Sequence, residues 1–224
     1  MKPYFETKLG KLYHGDCLEI MPQLEPVDLV LTDPPYNASN GNTIGFKDKK
    51  YRTINEEWDK NFSIEFVDLL KTDTFLCFCS YHILNKYLKW NKPQQIIHWV
   101  KNNPFPAISK VYTPSVEYIY WFNNKSPYVF NKKYARTDIL KSSICCGKER
   151  TVHPTQKPLS ILNELLLIHS NKNSLVMDCF MGSGTTAVSC EKLNRKWIGI
   201  EISEEYCEIA AKRIEQETKQ LKLW

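Results

Sequence analysis

The chain has 224 residues, 42% of them hydrophobic and 25% charged, with a net charge of +5. That composition and length fit one substantial α/β domain and leave little for a second. No apolar run approaches the roughly 20 residues of a membrane span. Nor does an apolar stretch follow Lys2 as in a secretory signal, so a cytoplasmic location is expected. The mild basic excess permits a polyanionic partner without requiring one.

In chain order, Lys11 to Asp16 reads as a short strand ending in a turn, and Cys17 to Leu24 as a short helix interrupted by Pro22. Val27 to Thr32 is a near-continuous apolar strand of the parallel-sheet type. It runs into Asp33-Pro34-Pro35-Tyr36, and a long polar stretch follows from Asn37 to Asn61. A connection of that length is expected to be functional or mobile. Ile64 to Lys71 predicts a helix, Thr74 to Cys79 a strand and Ile83 to Trp90 a helix. Gln95 to Val100 and Ser115 to Phe122 predict two more strands.

From Asn123 to Val152 the pattern dissolves into a basic segment carrying Lys125, Lys132, Lys133, Arg136, Lys141, Lys148 and Arg150. Leu159 to Ile168 is an apolar helix opened by Pro158. Strand Leu175–Cys179, helix Thr185–Leu193 and strand Trp197–Ile202 follow, then a final helix with Ser203 as N-cap. Its stretch Ile209 to Leu223 reads as a solvated closing helix and tail. Strands alternating with helices imply a doubly wound, mostly parallel sheet.

The eight cysteines contain no C-x-x-C pair, so no metal site is expected and reduced thiols are. Cys77 and Cys79 sit in Phe75-Leu76-Cys77-Phe78-Cys79, where cysteine acts as a small hydrophobe.

Two segments carry chemistry, each where a buried strand runs into a loop, the place where open α/β sheets bind ligands. In Asp178-Cys179-Phe180-Met181-Gly182-Ser183-Gly184-Thr185-Thr186 a glycine turn opens a helix. It is neither G-x-G-x-x-G nor a Walker loop, so a phosphate cradle is a poor match. Glu201, at the end of the next strand, stands where an acid takes ribose hydroxyls. A phosphate-free adenosine cofactor fits this set, which points to S-adenosylmethionine. The bland alternative is that the glycines only allow tight packing.

In the other segment two prolines fix φ, and Asp33 is biased toward extended geometry. The Asp33 carboxylate and Pro34 carbonyl then form two restrained acceptors, with Pro35 stiffening the turn and Tyr36 offering a flat face. That suits a planar ring with an exocyclic amine, whose delocalised lone pair hydrogen bonding can free for attack. An ordinary surface turn is the bland alternative.

Together these residues resemble the amino-group DNA methyltransferases, and the order of the acidic turn before the glycine turn matches their β-group, a circular rearrangement. The resemblance implies a Rossmann-like S-adenosylmethionine-dependent methyltransferase fold over residues 1–224. It implies catalytic roles for Asp33, Pro34, Pro35 and Tyr36, and cofactor contacts for Asp178, Phe180, Gly182, Ser183, Gly184, Thr185, Thr186 and Glu201. Gly15-Asp16 is similar to the acidic turn that reaches the cofactor's adenine. His153 to Pro158 is similar to the segment at the methionine end, which assigns Thr155, Lys157 and Pro158 there. Trp99 to Pro104 resembles the strand end lining the target-base pocket. His153 itself is expected to be structural.

The D-P-P-Y form implies site-specific adenine-N6 methylation of double-stranded DNA, with a flipped-out base. Cytosine-N4 methylation, RNA or protein-amide methylation, and a non-catalytic DNA-binding subunit are the alternatives. The short stretch at about 123–152 is where such enzymes read their target. Lys47, Lys49, Lys50, Arg52 and Tyr51 in the 37–61 loop are a second DNA-reading candidate. A homodimer or a cognate restriction enzyme is the further partner expectation.

Overall fold

The computed structural model describes residues 1–36, 62–104, 106, 112–135, 137–151, 153 and 155–221. The expected loop at 37–61, with its lysines and Tyr51, lies outside the described residues.

The strands are β1 (Phe5–Glu6), β2 (Gly10–His14), β3 (Leu29–Thr32), β4 (Thr74–Cys79), β5 (Gln95–Lys101), β6 (Val116–Asn123), β7 (Ile139–Ser142), β8 (Leu175–Asp178) and β9 (Lys196–Glu201). Among the described residues they form one sheet in the order β1-β2-β9-β8-β3-β4-β6-β5-β7. The pairs β2–β9, β9–β8, β8–β3, β3–β4 and β5–β7 are parallel, and β1–β2, β4–β6 and β6–β5 are antiparallel. The mostly parallel character was expected from strands alternating with helices. The antiparallel β6 inserts between β4 and β5.

Both faces of the sheet are covered, and the central strands β3 and β4 are buried at every position. Leu29, Leu31, Leu76 and Phe78 point to one side. There they meet helices α3 (Leu159–His169), α4 (Thr185–Leu193) and α5 (Glu204–Leu221) through Leu162, Leu165, Val188 and Ile214. Val30, Phe75, Cys77 and Cys79 point to the other side. Their neighbours are α1 (Cys17–Ile20), a 3-10 turn at Glu65–Leu69 and α2 (Tyr81–Trp90), through Ile20, Phe66 and Tyr87. All but Cys146 of the eight cysteines are buried, and none is in a disulfide.

Several elements differ from expectation. The segment after Glu65 is a 3-10 turn rather than a full helix, since only Phe66 and Val67 are buried there. The basic stretch 123–152 contains β7, and Asn131 ties it to the end of α3 by donating to the Leu167 carbonyl at 2.9 Å and the Ser170 carbonyl at 3.1 Å. The stretch 209–221 of α5 is not simply solvated, for Ala210 and Ile214 are fully buried. No helix among the described residues is long and apolar enough to cross a membrane.

Candidate active site

β3 and β8 are parallel neighbours with Val30 beside Met177, so their two terminal turns leave the sheet side by side. A direct bond joins them: the Thr32 hydroxyl donates to Asp178 Oδ1 at 2.6 Å. Asp178 also accepts from the Thr186 hydroxyl at 2.6 Å and from the Phe180 N–H at 3.1 Å. This carboxylate fastens the acidic turn, the glycine turn and the first turn of α4 to one another. Burial pushes its carboxyl up to about 6, against the pull of those three donors.

Two glycines of the turn hold left-handed backbone, Gly182 at φ 51° and Gly184 at φ 82°. They face different neighbours. A Cβ on Gly182 would lie 2.9 Å from His153 Nε2, and one on Gly184 would lie 2.9 Å from the Ala210 Cβ of α5. At the end of β9, Glu201 accepts from the Gly182 N–H at 2.7 Å and the Ser203 N–H at 2.8 Å, and burial raises its pKa. Arg213 of α5 braces the turn from outside. Its guanidinium donates to the Ser183 carbonyl at 2.5 Å, the Ser183 hydroxyl at 3.0 Å and the Thr185 hydroxyl at 3.2 Å.

On the acidic-turn side, Tyr36 donates its hydroxyl to Asp33 Oδ1 at 2.7 Å, and Lys157 donates to Asp33 Oδ2 at 2.5 Å. Lys157 also reaches Glu117 at 3.3 Å, and Glu117 pairs with Lys101 at 2.6 Å. Two carboxylates and two ammonium groups thus balance in a largely buried cluster. Burial raises the Asp33 pKa, with Lys157 opposing it. Burial lowers that of Lys157, but the two carboxylates outweigh it and hold the ammonium protonated. Burial also pushes Glu117 up, yet Lys157 and Lys101 leave it below its usual value.

Both turns open into one cavity of about 390 Å³. Its wall contains Asp33, Pro34, Pro35 and Tyr36 together with Asp16, Thr155, Lys157, Asp178, Phe180, Gly182, Ser183, Thr185, Thr186 and Glu201. Pro158 and Gly184 lie off the wall. Pro158 is the N-cap of α3, and Gly184 is where the start of α4 meets Ala210 of α5. Lys157, assigned to the methionine end by resemblance, is on the cavity wall with its ammonium paired to Asp33 and Glu117. Trp99 is also off the wall, buried in the core with its indole N–H on Ser142 at 2.9 Å. Asp16 caps α1 by accepting from the Leu18 N–H at 2.8 Å. His153 packs on Gly182 and against the Tyr206 ring, 4.6 Å between centroids, and burial pushes its pKa down to about 4.

Sequence reasoning missed Glu117 and Arg213. Glu117 had a signal, a single acid inside the apolar run Val116 to Phe122. Arg213 had none, for it is one cation in a helix rich in lysine and glutamate.

The comparisons agree with this geometry. A family described as DNA methylase matches residues 27–212. Type II methyltransferase M2.MboI of Moraxella bovis is 34% identical, over 99% of this chain and 94% of that protein. Type II methyltransferase M2.DpnII of Streptococcus pneumoniae is 28% identical, over 97% and 94%. Among solved structures, the M1.HpyAVI–SAM complex superposes with a TM-score of 0.69 at 35% identity, covering 92% of this chain and all of that one. The cytosine-N4-specific PvuII DNA methyltransferase shares the fold, with a TM-score of 0.76 at 20% identity over 97% and 93%. With two strand-end turns fastened across adjacent strands and a family match over most of its length, the chain belongs to the DNA methylases.

Proposed function

We propose that the chain is an S-adenosylmethionine-dependent methyltransferase acting on the exocyclic N6 amine of adenine in double-stranded DNA. The observation that carries this reading is the Thr32–Asp178 bond, which fixes the amine-type turn and the cofactor-type turn on one cavity.

The residues present fit the cofactor. The left-handed Gly182 keeps its position free of a side chain at the cavity wall, the Glu201 and Asp16 carboxylates suit hydroxyl and amino groups, and Phe180 supplies an apolar wall. When bound, that group supplies a methyl on a sulfonium centre, open to attack by an amine. Asp33 and the Pro34 carbonyl accept the N–H bonds of the target amine and draw it toward tetrahedral geometry. Asp33 polarises rather than deprotonates, since the amine proton becomes acidic only after the methyl has moved. Tyr36 packs against the base, and before the base enters Lys157 holds the buried Asp33 in place. A base reaches this cavity only by leaving the stack, at a cost of a few kcal/mol. Holding amine and methyl at near-attack distance supplies much of the acceleration.

On this reading residues 1–224 act as one cytoplasmic methyltransferase unit whose 123–152 segment reads DNA. A second copy or a cognate restriction enzyme is its further partner. The test is transfer of a tritiated methyl group to unmethylated genomic DNA, followed by nucleoside analysis. N6-methyladenine is expected. N4-methylcytosine would replace the base assignment, and label found only in RNA or protein, or nowhere, would refute the reading.

A further inference from the structure

Both carboxylate oxygens of Asp33 are engaged, Oδ1 by the Tyr36 hydroxyl at 2.7 Å and Oδ2 by the Lys157 ammonium at 2.5 Å. A target amine must share those oxygens with the two donors, and the Lys157 ammonium draws off the electron density that an amine N–H would bind. Both donors share one second acceptor: Glu117 Oε2 lies 3.4 Å from the Tyr36 hydroxyl and 3.3 Å from Lys157 Nζ. Its other oxygen, Oε1, is held by Lys101 at 2.6 Å, which leaves Oε2 turned toward the two donors. We infer that Glu117 is a positioning residue that takes Lys157 and Tyr36 from Asp33 as the target amine arrives, clearing the catalytic carboxylate. The inference rests on the function proposed above.

Little motion is required, because each donor already lies within or near bonding range of both acids. The exchange moves the ammonium from one carboxylate to the other, and the N–H bonds of the arriving amine take its place on the buried Asp33. An ammonium also carries three N–H bonds and can bridge both acids during the transfer. The charged and titratable groups facing Glu117 are Lys101 of β5, Cys79 of β4, Asp33, Tyr36 and Lys157. Both cations favour its ionised form.

The test is Glu117→Gln in the full chain, with tritiated-methyl transfer to unmethylated genomic DNA. With Gln in place Lys157 has one carboxylate left and stays on Asp33. The kcat should fall on the order of tenfold to a hundredfold, with KM for S-adenosylmethionine within about twofold of wild type. Glu117→Asp, which keeps the charge, should recover part of the loss and covers the case in which E117Q fails to fold. In a Lys157→Gln background E117Q should cost clearly less than it does alone, because only the Tyr36 share of the exchange remains to be lost. Wild-type kcat in E117Q, a loss carried by KM alone, no recovery in E117D, or losses that multiply with K157Q would each overturn the inference. If wild-type protein transfers no methyl group to DNA, the functional reading fails instead.

Discussion

Asp178→Asn tests whether the bond between the two turns is held by a strained charge. The Asp178 carboxyl is pushed from 3.8 to about 6 by burial. A shift of about two units corresponds to roughly 3 kcal/mol. Because the folded value is the raised one, that stability is fully present below about pH 4. It is lost as pH climbs through about 6, where the buried group ionises at a cost the unfolded chain does not bear. Asparagine removes the ionisation and keeps the shape. Its amide offers one oxygen where the carboxylate offers two, a loss of about 1 kcal/mol. Near neutral pH the variant should therefore be about 2 kcal/mol more stable, a rise of about 4–8 °C in Tm for a chain of this size. Urea unfolding of both proteins between about pH 4 and 7.5 gives the difference curve, in which the other titrating groups cancel. That difference should grow through about pH 4–6 and then level off. A flat difference, or a variant less stable at neutral pH, would refute the assignment of a buried, ionised Asp178 as the joint.

Asp33→Ala should abolish methyl transfer, by at least about a hundredfold, while equilibrium binding of S-adenosylmethionine is retained. Undiminished transfer sinks the role of the acidic turn. Gly184→Ala places a side chain at φ 82° and 2.9 Å from the Ala210 Cβ. It should lower stability by about 1–3 kcal/mol in thermal melts and leave cofactor affinity nearly unchanged, since Gly184 is off the cavity wall. Arg213→Met removes the three bonds that brace Ser183 and Thr185. Calorimetric titration should show cofactor binding weakened by about 1.5–3 kcal/mol, and an unaltered affinity would make that brace incidental.

Legibility in the sequence followed burial. Thr74–Cys79 and Thr185–Leu193 were predicted with the boundaries observed. The first is buried at all its positions and bounded by polar residues, and the second is opened by glycine and closed by a left-handed Asn194. β7 escaped because it is an edge strand in which only Leu140 is buried, too little alternation for a period of two to register. The two turns were legible because their chemistry is local. What the sequence hid is pairing at a distance. Glu117 lies 40 positions before Lys157, and only the antiparallel insertion of β6 beside β4 brings the two together. Lys157 was read by its segment, but its ammonium follows charge, toward the two buried acids. For Gly184 a sequence shows that a side chain is missing, not which neighbour excludes it.

The sheet order β2-β9-β8-β3 also bears on how the protein is made. Two strands from the last quarter of the chain separate two from its first 32 residues. A nascent chain that has emerged only as far as α3 therefore has no partner for the inner edge of β2 and only β4 beside β3. Closing the middle of the sheet awaits residues 175–201, through contacts far apart along the chain, an arrangement that slows folding. Methyl transfer thus awaits the synthesis of residues 175–201, and until then the inner edges of β2 and β3 are open to pairing with other strands.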